Sequence, residues 1–339
     1  MRAMVAAGTG GPEVLQLRQR PMPEPGPGEV RVRVAVSGVN PTDWKTRRGA
    51  APGQAFAFAE VVPNQDGAGI IDAVGPGVPA VPGQRVWLWE AAWQRADGTA
   101  QEYVVLPAEQ AVLLPDSASF DDGASLGIPA LTAHRCLTVA DGGPARLQPQ
   151  ALAGRTVLVA GGAGAVGHAT IQLARWAGAT VLTTVSSDEK ARLAVAAGAQ
   201  HVVNYRTEDA AAALRRIARD GVDLIVEVAP SVNAVLDSQL VAPNATVAIY
   251  ANNGGDEVTL PVRVCMTANT RYQFVLVYTV PRAMKLQAVA DVSAALADGA
   301  LPVGVPAGLP LHRFGLEDTA AAHAAVEANI VGKVLIDVS

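Results

Sequence analysis

The first 130 residues show a strand-like alternation of hydrophobic and polar positions. Gly28–Val36 alternates apolar residues with polar or small ones, which is the pattern of a strand with one buried face. Shorter strands are predicted at Gly69–Val74 and Gln84–Trp89, with a Gly/Pro turn at Gly75–Gly77 between them. Many short strands joined by such turns indicate a small barrel or sandwich.

From about Gly127 the pattern changes to an alternation of short apolar runs and helical segments. The runs predict strands at Thr156–Val159, Thr180–Val185, His201–Val203, Val222–Val228 and Thr246–Tyr250. The helical periodicity predicts helices at His168–Ala177, Lys190–Ala197, Glu208–Arg219, Met284–Leu296 and Leu316–Ala328, and a final strand at Lys333–Val338. Strands that alternate with helices predict a doubly wound parallel sheet.

A glycine-rich turn joins the first of these strands to its helix. The strand Thr156–Val159 is followed by Gly161, Gly164 and Gly167 at three-residue spacing, and the helix starts directly afterwards. Glycines allow a close approach of the backbone to a pyrophosphate, and the N–H groups of a helix N-terminus favour negative charge. This pattern predicts a dinucleotide site, with a purely structural turn as the alternative.

The end of the second strand of this region indicates which dinucleotide binds. Sites that prefer NAD usually have an acid there, which binds the ribose 2′-hydroxyl. This chain has Ser186 and Ser187, with Lys190 one helical turn further on, and Arg206 follows the next strand. Hydroxyl donors and a cation suit a 2′-phosphate, so we expect NADPH rather than NADH. In the alternative interpretation Ser187 only caps a helix and Lys190 is a solvated surface residue.

Composition narrows the classes of function. The chain has 339 residues, of which 50% are hydrophobic and 17% charged, with a net charge of −5, so we expect two globular domains. The acidic balance argues against nucleic acid or an anionic membrane surface as a partner. No run of about 18 apolar residues is present, and the N-terminus lacks the apolar core of a signal peptide. With only Cys136 and Cys265, the chain is expected to be cytoplasmic, with reduced thiols.

Several motifs, in their order along the chain, resemble those of the zinc-free medium-chain dehydrogenases/reductases, specifically the quinone oxidoreductases related to zeta-crystallin. The motifs are Gly38–Pro41, Asp66–Gly75, Leu126–Arg135, Ala160–Gly167, Asn204-Tyr205, Gly221–Glu227 and Gly332-Lys333. The resemblance covers nearly the whole chain. It implies a chaperonin-10-like substrate and catalytic domain at 1–130, a Rossmann NADPH-binding domain at 131–275 and a return to the catalytic domain at 276–339. It also implies a homodimer or homotetramer.

The resemblance, together with the residues themselves, gives the expected site residues. The expected cofactor-binding residues are Gly161, Ala163, Gly164, Ala165, Val166, Gly167, Ser186, Ser187, Lys190, Tyr205, Asn233, Ala251, Asn252, Asn253, Val275, Leu276, Val277 and Lys333. The expected catalytic residues are Asn40, Asp43, Lys45 and Thr132. Lys45 stands where relatives commonly have tyrosine, so it is expected to donate a proton or to hold an anionic substrate, or else to be a solvated loop residue. Asp43 has the alternative of pairing with Arg47 or Arg48.

No metal is expected. The position of the usual zinc-binding cysteine reads Asn40 or Pro41, and the usual His-Glu pair reads Gln65-Asp66. Two cysteines cannot form a four-cysteine site, and the five histidines show no ligand spacing. The reaction implied is the transfer of a hydride equivalent from NADPH to a small-molecule quinone. The alternatives are an enoyl reductase acting on α,β-unsaturated carbonyl or thioester substrates, and a non-enzymatic NADPH-binding structural or regulatory protein.

Overall fold

Two units, each with its own sheet, account for residues 1–338, which are the residues that the computed structural model describes. Unit 1 is Met1–Ile128 together with the chain from Pro310 onward, and unit 2 is Pro129–Leu309. Residues 276–309, which the sequence analysis assigned to the β-rich domain, cluster with unit 2.

The strands and helices are numbered in chain order. The strands are β1 Arg2–Val5, β2 Gln16–Gln19, β3 Glu29–Val39, β4 Asp66–Val74, β5 Arg85–Leu88, β6 Tyr103–Pro107, β7 Ala111–Leu113, β8 Thr156–Ala160, β9 Thr180–Val185, β10 His201–Asn204, β11 Val222–Glu227, β12 Val241–Ile249, β13 Arg271–Phe274, β14 Leu311–Gly315 and β15 Lys333–Asp337. The helices are α1 Pro41–Arg48, α2 Phe120–Ala124, α3 Gly127–Leu137, α4 Ala165–Trp176, α5 Asp188–Ala196, α6 Ala210–Ile217, α7 Pro230–Leu240, α8 Val262–Ala268, α9 Arg282–Ala297 and α10 Thr319–Glu327.

The main sheet of unit 1 is built on the long strand β3. The strand order is β14-β15-β3-β4-β5-β7, with β6 also paired to β3, and all pairs except β14 with β15 are antiparallel. Val30, Val32 and Val34 of β3 are fully buried, as the alternating pattern predicts. They pack in a core with residues of β4 to β6 and β15.

Unit 2 is a doubly wound parallel sheet. Its six strands have the order β10-β9-β8-β11-β12-β13, and every neighbouring pair is parallel. In the unit's own numbering this is 3-2-1-4-5-6, the order of dinucleotide-binding folds, in which ligands bind at the carboxyl ends of the strands. The predicted fold class is therefore confirmed.

No helix within residues 1–338 combines the length and the apolar character needed to cross a membrane.

Candidate functional site

The predicted nucleotide site of unit 2 starts with the turn between β8 and α4. Gly161 has a φ of +71°, a left-handed conformation that glycine adopts without strain. Its carbonyl accepts a hydrogen bond from the N–H of Gly164 at 3.0 Å, and Gly164 is the residue that caps α4. The first turn of α4 contains no acidic residue, so its unpaired N–H groups face no competing charge from the helix itself.

The glycines of this turn have different roles. A Cβ on Gly167 would lie 2.4 Å from the Gly161 carbonyl oxygen, so glycine is needed there for close packing of helix on strand. A Cβ on Gly164 would have no neighbour nearer than 3.5 Å, and Gly164 is exposed. Backbone is therefore presented to solvent at Gly164, while neighbouring Ala163 is buried and Ala165 and Val166 are half-buried.

Polar groups follow the next two strands at the same edge of the sheet. The Lys190 ammonium donates to the Ser186 hydroxyl at 2.9 Å, which brings together two of the three residues predicted to hold a 2′-phosphate. The third, Ser187, accepts a hydrogen bond from the Lys190 backbone N–H at 3.2 Å and caps α5. Tyr205 follows β10, is 48% exposed, and has the Arg206 guanidinium 5.8 Å from its ring centre.

The turns after β11 and β12 are joined to each other. The backbone N–H of Asn253 donates to the Val228 carbonyl at 3.1 Å, and the N–H of Tyr250 donates to the Glu227 carbonyl at 3.1 Å. The side chain of Asn233 on α7 donates to the Glu227 carboxyl at 3.0 Å. The predicted residues Ala251, Asn252 and Asn253 therefore lie in the turn after β12, and Asn233 lies on α7, which follows the turn after β11.

Two buried carboxyl groups support these turns. Glu227, at the end of β11, and Asp237, on α7, are at most 2% exposed, and within residues 1–338 one oxygen of each carboxyl group has no hydrogen-bond partner. Burial and the charge of Glu227 raise the pKa of Asp237 to about 9, and burial also raises the pKa of Glu227. Asp237 therefore holds a proton at neutral pH.

In unit 1 the predicted residues Asn40, Asp43 and Lys333 come together with Asp66. The Lys333 ammonium donates to Asn40 Oδ1 at 2.7 Å, and Asn40 Nδ2 donates to Asp66 Oδ2 at 2.7 Å. Asp66 Oδ1 accepts the backbone N–H of Ile128 at 2.9 Å. Lys333, predicted to bind the cofactor, is 1% exposed, and its ammonium lies within this network.

Burial shifts the ionisation of this cluster. It raises the pKa of Asp66 and lowers the pKa of Lys333, while their mutual attraction at 3.5 Å opposes both shifts. Burial and the nearby Asp66 raise the pKa of Asp43 to about 8, although backbone N–H groups of Asn40 and Gln65 donate to its carboxyl. Asp43 is therefore a largely protonated acid at neutral pH.

The remaining predicted residues are Lys45, Thr132 and the segment Val275–Val277. Lys45 is exposed on α1, with its ammonium 5.9 Å from the ring centre of Trp44. Thr132 is buried in α3 of unit 2. Val275 and Val277 are buried directly after β13, and Leu276 between them is exposed.

The proposed pairing of Asp43 with Arg47 or Arg48 is wrong. Both guanidiniums pair instead with Glu327 of α10, Arg47 at 2.7 Å and Arg48 at 3.3 Å. Asp43 lies on α1 with Arg47, but its carboxyl is occupied by the backbone N–H of Asn40 at 2.7 Å.

The predicted site residues did not include four buried groups described above: Asp66, Glu227, Asp237 and Arg47. Asp66 had a signal, because an acid at the start of the apolar run that forms β4 has to find partners when it is buried. Asp237 and Arg47 lie on helices whose buried face is set by distant parts of the chain.

Within residues 1–338, no group of three or more His, Cys, Asp and Glu side chains is arranged to hold a metal ion. The expectation of no metal remains a prediction.

Two family models match the chain. Residues 26–116 match the alcohol dehydrogenase GroES-like domain, and residues 165–294 match the zinc-binding dehydrogenase family. The first match lies in unit 1 and the second in unit 2.

Individual relatives agree with these matches. The chain is 32% identical to the quinone oxidoreductase of Rattus norvegicus over 261 residues, which are 76% of this chain and 75% of the relative. A solved NAD-dependent alcohol dehydrogenase superposes with a TM-score of 0.86 at 28% identity, covering both chains completely. A mycobacterial protein solved with NADPH gives a TM-score of 0.81 at 28% identity, covering 99% of both chains. The chain thus belongs to the quinone oxidoreductase family of the medium-chain dehydrogenases/reductases.

Proposed function

We propose that this protein is an NADPH-dependent reductase that transfers a hydride equivalent to a quinone without a metal ion. The observation that carries this proposal is the Lys190–Ser186 pair, which stands one strand away from the exposed backbone of Gly164. The family of the chain supports the quinone as acceptor, and the NADPH bound by the mycobacterial relative supports the cofactor.

The residues present in unit 2 fit a phosphorylated dinucleotide. The turn Gly161–Gly167 offers backbone N–H groups and, at Gly164, space that a Cβ would occupy. Ser186 and Lys190 offer a hydroxyl and a cation for the 2′-phosphate, and Arg206 adds a second cation at the end of the adjacent strand. Asn233 and Asn252 would complete the trough on the nicotinamide side.

Bound NADPH supplies the hydride equivalent from its nicotinamide ring. A quinone that accepts a hydride becomes a hydroquinone anion and needs one proton for completion. Asp43 holds such a proton at neutral pH because its carboxyl is buried. Asn40 is held in one orientation by Lys333 and Asp66, which makes it a fixed polar group at the start of α1.

An acceptor panel with NADPH tests this function. We expect turnover with 1,4-benzoquinone and 1,4-naphthoquinone and none with simple enones or enoyl thioesters. Faster turnover of an enone, with stereospecific deuteration at its α-carbon in D₂O, would favour the enoyl reductase instead. Tight NADPH binding without turnover of any acceptor would favour the non-enzymatic alternative. Metal analysis of the same preparation is expected to find no stoichiometric zinc.

The same proposal includes a cytoplasmic homodimer or homotetramer. Its support is the outer strand β13, which ends the sheet of unit 2 with its backbone unpaired on one side within residues 1–338. The apolar side chains Phe274, Met266 and Val262 on or near this strand are 63–66% exposed. A second copy of the chain, related by a two-fold axis, would cover this edge by pairing β13 with β13.

A further inference from the structure

Unit 1 contains a cavity of about 70 Å³ to which the proposed reaction assigns no ligand. Leu15, Phe56 and Val61 form part of its apolar wall. Asp43, Arg47 and Arg95 contribute its ionisable groups.

Each of these ionisable groups has one buried atom without a partner. Arg47 is 3% exposed; its Nε donates to the Gly10 carbonyl and its Nη2 to Glu327, yet within residues 1–338 its Nη1 has no hydrogen-bond partner. In the same part of the chain, Arg95 Nε and Asp43 Oδ1 also lack partners. A buried polar group without a partner is costly, so three of them on one cavity indicate a polar ligand.

The charges around the cavity favour an anion. Glu327 pairs with both Arg47 and Arg48, so these three side chains carry a net charge of +1. Arg95 pairs with Glu29 at 3.9 Å, a longer ion pair than that between Arg47 and Glu327. Asp43 is largely protonated at neutral pH, so its carboxyl offers an O–H rather than a negative charge. The unpartnered atoms at neutral pH are thus two N–H donors and a carboxyl that can also donate.

The neighbouring histidine supplies no competing charge. His323 donates from Nε2 to Asn64 Oδ1 at 2.9 Å, and Asn64 lines the cavity. Burial and the charge of Arg47 lower the pKa of His323 to about 3, so the ring is neutral. The positive charge at the cavity therefore comes from the two arginines.

The size of the cavity limits the ligand. An apolar cavity of roughly 150 Å³ binds a benzene molecule. The cavity of unit 1, at about 70 Å³, has about half that volume and suits a ligand smaller than a quinone ring. We propose that this cavity binds a planar, carboxylate-sized anion between Arg47 Nη1 and Arg95 Nε. This inference does not depend on the proposed reductase activity.

Titration of the apo protein with sodium formate tests the site. At constant ionic strength, formate is expected to give a saturable heat of binding and a saturable rise in the thermal unfolding midpoint, whereas chloride gives neither. The same response to chloride as to formate, or no saturable response to formate, would overturn the proposal.

Variants of the two arginines test which side chains bind formate. Arg47→Lys retains a charge beside Glu327 but removes Nη1. We expect the dissociation constant for formate to rise by roughly tenfold or more, because about one charge-assisted hydrogen bond is lost. Arg95→Lys, on a less buried side chain, should weaken formate binding in the same way and provides a test if Arg47→Lys fails to fold. Arg48→Gln is the matched control, because Arg48 also pairs with Glu327 but does not line the cavity. Equal formate affinity in all three variants would contradict the assignment.

The anion can be a free small carboxylate or the carboxylate group of a larger acceptor, and an activity assay distinguishes the two. If it is a free small carboxylate, bound formate should change kcat/KM by the same factor for carboxylated and unsubstituted benzoquinone, because Asp43 lines the cavity whichever acceptor is used. If it is the carboxylate arm of a larger acceptor, Arg47→Lys should lower kcat/KM for a carboxylated benzoquinone and not for unsubstituted benzoquinone. Either result supports the site, and formate binding that survives in both lysine variants refutes it.

Discussion

At the end of β9, three neighbouring side chains make two separate interactions, a helix cap and a lysine–serine hydrogen bond. The Ser187 hydroxyl caps α5, and the Lys190 ammonium turns back to the Ser186 hydroxyl at 2.9 Å. The sequence could predict this contact because residues four apart at a helix start lie one above the other. The cap uses the Ser187 hydroxyl, so the Ser186 hydroxyl and the Lys190 ammonium are left for the 2′-phosphate that we propose.

Lys190→Glu reverses the charge at this point. We expect NADPH binding to weaken by roughly 10- to 100-fold, the value of a lost charged hydrogen bond, and NADH binding to change little. Fluorescence titration with both cofactors measures the two dissociation constants. Arg192→Glu, an equal change of charge on an exposed position of the same helix, serves as control. Equal losses for NADPH and NADH would remove the 2′-phosphate assignment.

Asp43→Asn removes the proton that we assign to the reduced acceptor. Because the pKa of Asp43 is raised to about 8, wild-type kcat should fall as the pH rises through about 8 and the acid form is lost. The variant should have a kcat lower by roughly 100-fold with no such fall, and unchanged affinity for NADPH. A pH–rate profile for both proteins measures this, with the exposed Asp116→Asn as control. An alkaline fall retained in Asp43→Asn would assign the proton to another group.

Some site residues come together only in the folded chain, and no local sequence pattern indicates their contacts. Asn40, Asp66 and Lys333 meet in one buried network, yet Lys333 is 293 positions from Asn40 and 267 from Asp66. Sequence motifs mark each position separately, but only the folded sheet, in which β15 lies beside β3 and β3 beside β4, joins them.

At the scale of elements, the buried strands of unit 2 were predictable and the exposed ones were not. β9 has the predicted bounds because Thr180–Val185 is an apolar run that is buried along most of its length. β12 begins at Val241, five residues before the predicted Thr246, because its first part contains Pro243 and the exposed Asn244, which interrupt the apolar pattern. β13 was missed because Arg271–Phe274 is mostly exposed, so no alternation marks it.

The buried carboxyl group of Asp237 on α7 lies beside Glu227 of β11 and holds a proton at neutral pH, which makes stability depend on pH. The pKa of Asp237 is about 9 in the folded chain and close to its ordinary value of 3.8 in the unfolded chain. Between these values the folded state holds more protons than the unfolded state, so this pair makes the free energy of unfolding decrease as the pH rises.

Asp237→Asn keeps a hydrogen-bond donor for Glu227 without a titrating proton. We expect the slope of unfolding free energy against pH between 6 and about 9 to become less negative, as measured by urea denaturation at several pH values. The exposed Asp220→Asn is the control. A variant with the same slope as the wild type would show that the pair does not hold the proton.

At the scale of the whole molecule, the sequence predicted two domains but not where the last segment belongs. Residues 276–309 cluster with unit 2, where contacts reach α4: His168 bonds the Ala307 carbonyl at 2.8 Å, Gln172 the Pro302 carbonyl at 2.9 Å and Trp176 the Asp298 carboxylate at 2.9 Å. These partners are more than 120 positions apart, so no local pattern could indicate them.

The exposed edge of unit 2 gives a prediction about assembly. Phe274→Asp places a charge on β13, where we propose that two copies pair, and it should shift a dimer toward monomer, or a tetramer toward dimer. Light scattering after size exclusion measures the mass. Val81→Asp, which introduces the same charge at a 58% exposed valine of unit 1, should leave the mass unchanged. Wild-type protein that is already monomeric at micromolar concentration would refute the assembly proposal.

The proposed activity requires that a phosphorylated nicotinamide cofactor binds at the carboxyl ends of β8 and β9. Isothermal titration calorimetry of the purified chain with NADPH and with NADH tests this most directly. We predict one NADPH site per chain, with an affinity roughly tenfold or more above that for NADH. The absence of heat with NADPH, or tighter binding of NADH, would contradict binding of NADPH at this site.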